Sequence, residues 1–147
     1  MRLSLILAPA IIGLTARTAS QAADLKVALI YGRTGFLEPY AKQTETGLRL
    51  GFEYATKGTM TVDGRKIVII TKDDQSKPDV SKAALTEAYQ DDKADIAIGT
   101  TYSAAAIADL PVAEENKKIL IVEPAVADEI TGSKWNRYIF RTARNSP

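Results

Sequence analysis

Short apolar runs alternate with longer stretches of helical spacing along this chain, and that alternation allows few architectures. The runs cover residues 25–31, 66–71, 94–99, 119–122 and 138–142. Each is strand length, and the second is β-branched almost throughout. Helical segments are expected between the first four, at about 39–56, 78–90 and 104–116. The order strand-helix-strand-helix-strand-helix-strand-loop-strand predicts an α/β fold with a doubly wound parallel sheet. In such sheets ligands bind at the carboxyl ends of the strands.

Local chemistry supports each boundary. Pro39 and Pro78 suit the first turn of a helix. Val62-Asp63-Gly64-Arg65 is a turn signal. In the second helix Val80, Ala83, Ala84 and Ala88 mark a buried face, with Leu85 and Tyr89 beside it. Pro111 predicts a kink or a break in the third helix. In the first helix Gly47, Gly51 and Ala55 recur every fourth residue, a row that suits close packing against the sheet.

The turn after the third run is the main candidate for chemistry. Ile96 and Ile98 lie among small residues, so both faces of that strand could be covered. Gly99 permits a sharp exit. Thr100, Thr101 and Ser103 are helix-capping types placed before the small apolar run that starts at Ala104. A turn of this kind aims free N–H groups and hydroxyls at one point and suits a carboxylate. It is also how many plain βα turns are built. Asp73 and Asp74 end the second run, where paired carboxylates can bind metal or transfer protons. With no third ligand nearby, a solvated turn with a cap is the commoner use of such a pair.

Several function classes are excluded or weakened. The chain has 147 residues, a net charge of +1, no cysteine and no histidine. Near-neutral charge gives no electrostatic case for nucleic acid or for an anionic membrane. Absence of cysteine and histidine removes disulfides, thiolate metal sites, Ser-His-Asp and Cys-His catalysis and nearly all zinc chemistry. The loop from Gly32 to Pro39 lacks the third glycine of a dinucleotide fingerprint and the Lys-Ser/Thr ending of a phosphate loop, and no G-x-S-x-G is present. No cofactor and no enzymatic activity are expected. Residues 1–22 resemble a secretory signal: Arg2, an apolar run from Leu3 to Ala16, and Ser20-Gln21-Ala22 as a cleavage site. That run is too short for a comfortable span, so no stable membrane insertion is expected after cleavage.

Taken together, Leu25–Tyr31, Thr34-Gly35, Gly47-Leu48, Asp73-Asp74 with Pro78, Ile98-Gly99, Glu123-Pro124-Ala125 and Phe140-Arg141-Thr142 resemble the type I periplasmic solute-binding proteins. More narrowly the chain is similar to the branched-chain amino-acid (Leu/Ile/Val-binding) class of ABC-transporter substrate-binding proteins. A subset that takes up aromatic carboxylates looks similar through Lys72-Asp73-Asp74-Gln75, residues 110–115 and residues 123–128. The resemblance implies a ligand-binding lobe at 23–147 that is the first of two. The chain then looks like an N-terminal fragment, with an apolar face where returning elements would pack.

The same resemblance implies that loops after the third and fourth parallel strands grip a ligand carboxylate. Ser103 falls at the family's serine, with Thr101 and Tyr102 before it, and the second loop falls at Val126 and Ala127. Ala127 stands where many members have threonine, so only its backbone N–H could serve. Phe36 and Tyr102 would suit a flat apolar body. The implied function is capture of a branched-chain amino acid or aromatic acid in the periplasm and delivery to a membrane permease. The alternative is a sensory module of the same fold that signals to a chemoreceptor or kinase.

Overall fold

A computed structural model describes residues 22–146. The signal-like segment up to residue 21 lies outside the described residues. Six strands form one sheet: β1 (Leu25–Tyr31), β2 (Thr61–Val62), β3 (Arg65–Asp73), β4 (Ile96–Ile98), β5 (Ile119–Val122) and β6 (Ile139–Arg141). Their order is β2-β3-β1-β4-β5-β6. All neighbours pair parallel except β2, which joins β3 antiparallel. That short edge strand was not legible as a strand. It exists because Asp63 and Gly64, with φ of 48° and 75°, make a tight hairpin.

Three helices connect the strands: α1 (Glu38–Ala55), α2 (Pro78–Gln90) and α3 (Ser103–Asn116). The side chains of β1 alternate between two layers. Ala28 and Ile30 join the main core with Leu85, Ala88, Tyr89, Leu110, Val112 and Leu120 from α2, α3 and β5. Leu29 and Tyr31 face the other way, onto Ala41 and Leu48 of α1. Helices on both faces make the sheet doubly wound. Each fully buried Leu or Ile here contributes about 1.5–3 kcal/mol.

The buried face of α2 is Ser81, Ala84, Leu85, Ala88 and Tyr89, not the face through Ala83, which is exposed. Ser81 can be buried because its hydroxyl donates to Asp109 Oδ2 at 2.7 Å. The α3 helix does not break at Pro111. Pro111 itself is exposed, while Leu110, Val112 and Ala113 beside it are buried and hold the helix against the core.

The α1 face of the sheet is covered unevenly. Ala97 of β4 is fully buried, but Ile96 and Ile98 are only half-buried, so the expectation of two covered faces fails for that strand. Ile119 and Phe140 farther along this face are exposed. Gly47 and Gly51 do not press on the sheet either. A β-carbon at either position would meet nothing within 4 Å. The glycine row therefore faces open space, and α1 buries only Ala41 fully.

Candidate functional site

In the five parallel strands, β1 and β4 are adjacent, yet the chain leaves them for helices on opposite faces. This is the switch point, where the loops diverge and open a crevice. The loops after β1, β3, β4 and β5 meet there.

Gly99 makes the exit from β4 possible. Its φ is +147°, and a β-carbon would overlap the carbonyl oxygen of Ile30 in β1. Thr100 is fully buried beyond it, its hydroxyl donating to Tyr102 O at 3.3 Å. The expected capping by Thr100, Thr101 or Ser103 does not occur. Tyr102 is the N-cap residue and no side chain caps α3. Ser103 is already the first helical residue, so its hydroxyl is free to reach sideways. The first N–H groups of α3 then have neither an intrahelical acceptor nor a side-chain cap.

Ser103 reaches the loop after β5. Its Oγ accepts from the N–H groups of Val126 and Ala127, both at 3.3 Å. These bonds are long for N–H···O. Three of the six expected site residues therefore converge on one point. Thr101 lies in the same turn, and its hydroxyl is buried without a hydrogen-bond partner. Phe36, on the loop after β1, meets Tyr102 edge to face with ring centroids 5.3 Å apart. Phe36 is 68% exposed, so this apolar pair is presented to solvent at the crevice.

Two residues outside the six expected at the site hold its loops. Asp73 ties the loop after β1 to β3: Oδ2 accepts from the Thr34 hydroxyl at 2.8 Å, and Oδ1 from the N–H groups of Thr34 and Gln75. Burial opposes ionisation of Asp73, but these donors outweigh it and hold the carboxyl below its ordinary value. Arg141, at the end of β6, donates to Ala127 O at 2.7 Å and to Val126 O at 3.3 Å. No local pattern announces that contact, since the partners lie 14 and 15 positions apart in sequence.

Asp74 corrects the reading of a solvated pair. It is fully buried, with Oδ1 accepting from Ser76 N–H at 2.7 Å and Oδ2 unpartnered. Burial raises its pKa, opposed by the Ser76 N–H. Among the described residues no group of three or more His, Cys, Asp or Glu side chains is placed to hold a metal ion. A recess of about 390 Å³ opens on the α1 face, lined by Tyr40, Gly47, Leu48, Ile98, Glu123 and Pro124 among others. None of the six expected site residues lines it.

A family model described as periplasmic binding protein matches residues 24–147. A solved structure of an ABC-type branched-chain amino acid transporter protein from Rhodopseudomonas palustris is 85% identical, with a TM-score of 0.82. It covers 83% of this chain and 33% of its own. A solute-binding protein of an ABC transporter from the same species, in complex with 3,4-dihydroxybenzoic acid, is 33% identical with a TM-score of 0.75, covering 84% of this chain and 32% of its own. Another from that species, in complex with benzoate, is 33% identical with a TM-score of 0.75, covering 83% and 33%. The chain thus spans about a third of the length of the solved structures it matches. No curated protein sequence matches it.

Proposed function

The chain belongs to the periplasmic binding protein family, and from that premise we propose that it is a ligand-binding lobe of the solute-binding component of an ABC importer. Its ligand is a small carboxylate, taken up in the periplasm and delivered to a membrane permease. The observation that carries this reading is the convergence of the Ser103 hydroxyl with the Val126 and Ala127 N–H groups. An ionised carboxylate oxygen at that point would make shorter, charge-assisted bonds to the same two N–H groups and accept from the hydroxyl. The uncapped N-terminus of α3 favours the same negative charge.

An aromatic acid of the benzoate type fits the rest of the crevice best. Phe36 and Tyr102 offer a flat apolar ligand edge and face contacts. Ala127 adds no hydroxyl to the carboxylate cage, which leaves more of the affinity to apolar burial. Two relatives at 33% identity bind benzoates. A branched-chain amino acid is the second reading, favoured by the 85% identical relative, an ABC-type branched-chain amino acid transporter protein.

The test is a titration of the chain with benzoate, 4-hydroxybenzoate, leucine and isoleucine, followed by two-dimensional amide NMR, which reads weak binding as well as strong. Saturable shifts at Ser103, Val126 and Ala127 with the aromatic acids, weakened about tenfold or more by Ser103→Ala, are expected. Shifts with the amino acids alone would establish the second reading. No saturable shift with any of the four would defeat both.

A further inference from the structure

We infer that Arg141 is the positioning residue of the carboxylate site and supplies its positive charge through the Val126–Ala127 peptide group. This rests on the reading of a carboxylate-binding lobe given above.

Among the described residues, no cationic side chain bonds Ser103 Oγ or the N–H groups of Val126 and Ala127. Arg33, on the loop after β1, is exposed and interacts with Asp73. Arg141 stands behind the loop instead. Its Nη1 donates to Val126 O and Ala127 O, and its Nη2 to the hydroxyl of Thr131 at 2.6 Å and to the amide oxygen of Asn145. Every one of these acceptors is uncharged. Among the described residues, no carboxylate forms an ion pair with this half-buried guanidinium. Glu123 accepts from the Thr142 hydroxyl, and Asp128 and Glu129, in the turn between Ala127 and Thr131, form no ion pair with Arg141. A permanent cation is thus held here by neutral acceptors, without an ion pair among the described residues.

The covalent geometry carries that charge forward. Val126 C=O and Ala127 N–H are opposite ends of one peptide group, and in a trans peptide they point in opposite directions. Arg141 and the Ser146 N–H bond the oxygen end. The N–H end points at Ser103 Oγ. A positive charge at the oxygen aligns with the peptide dipole and strengthens the N–H as a donor, as chained hydrogen bonds polarise one another. The second bond, to Ala127 O, fixes the next peptide group, so the loop cannot rotate its N–H groups away. A ligand carboxylate therefore experiences the cation without touching it.

The experiment measures benzoate and benzamide affinities of the chain and of Arg141→Gln and Arg141→Lys, from the Val126 and Ala127 amide shifts. Benzamide has the same ring without the charge. Arg141→Gln is expected to weaken benzoate about tenfold, a loss of about 1.4 kcal/mol, and to leave benzamide within about twofold. Arg141→Lys keeps the charge but not the fork, and a smaller loss, again selective for benzoate, is expected. It also serves if the glutamine variant does not fold. Equal weakening of both probes would show a purely structural residue and overturn the inference. Unchanged benzoate affinity in a folded Arg141→Gln would do the same, while leaving the carboxylate site standing. Wild-type protein that shifts with neither probe would overturn the aromatic-acid reading and, with it, this inference.

Discussion

Gly99 lies so close to Ile30 that a β-carbon on it would overlap the Ile30 carbonyl oxygen. The contact joins β4 to the central strand β1 at the switch point, and it sets where the following turn points. Gly99→Ala must move one backbone or the other and also occupy φ near +147°. A loss of roughly 3 kcal/mol or more is expected. Urea denaturation measures it; a loss under about 1 kcal/mol would show that the strands are not this close.

Phe36 and Tyr102 separate binding from folding. Phe36 is mostly exposed and contributes little to the core. Phe36→Ala should leave the melting temperature nearly unchanged while weakening benzoate by about 0.5–1.5 kcal/mol. Calorimetry on ligand and protein reads both quantities. Equal benzoate affinity in the variant would remove the aromatic pair from the site.

Asp109 gives the fold a pH dependence of predictable sign. Its carboxyl is fully buried in α3, with Oδ1 unpartnered, Oδ2 bonded to Ser81, and Asp74 adding negative charge. Burial pushes its pKa well above the ordinary value of 3.8, the Ser81 bond opposes this and Asp74 adds to it. The folded state therefore holds a proton that the unfolded state has released. Stability from this group is full below the unfolded pKa and is lost as pH rises toward the folded one. Asp109→Asn keeps a partner for Ser81 and removes the titration. Its melting temperature relative to wild type should rise between pH 4 and pH 7. A difference that is flat or falls over that range would contradict a protonated Asp109.

Gly47 sits in the middle of α1 with open space where a β-carbon would be. Gly47→Ala should stabilise the chain by about 0.5–1 kcal/mol through helix propensity alone. Thermal melts of the 147-residue chain test it. Destabilisation would mean that the glycine row is in contact with something after all.

Local pattern carried the elements well where spacing and burial agree. The α2 helix spans Pro78–Gln90 as expected, and β1 and β5 match at both ends. The ends of β3, β4 and β6 differ by one or two residues, because pairing with neighbours rather than composition decides where a ladder stops. The hairpin strand β2 escaped because two residues carry no period. Ser81 was missed on the buried face because a polar side chain reads as exposed until a partner such as Asp109 is known.

The sequence by itself determined the doubly wound α/β class, the turn at Gly99 and the residue types offered at the strand ends, because alternating apolar periods and special backbone positions are local properties. Tertiary structure alone decided which of those residues meet. Ser103 faces Val126 and Ala127 only because β4 pairs with β5 in register, and Arg141 reaches their carbonyls only because β6 lies beside β5. The same holds for burial: Asp73 and Asp74 are neighbours of one type, and only the packing around them makes one a loop tie held below its ordinary pKa and the other a buried acid pushed above it.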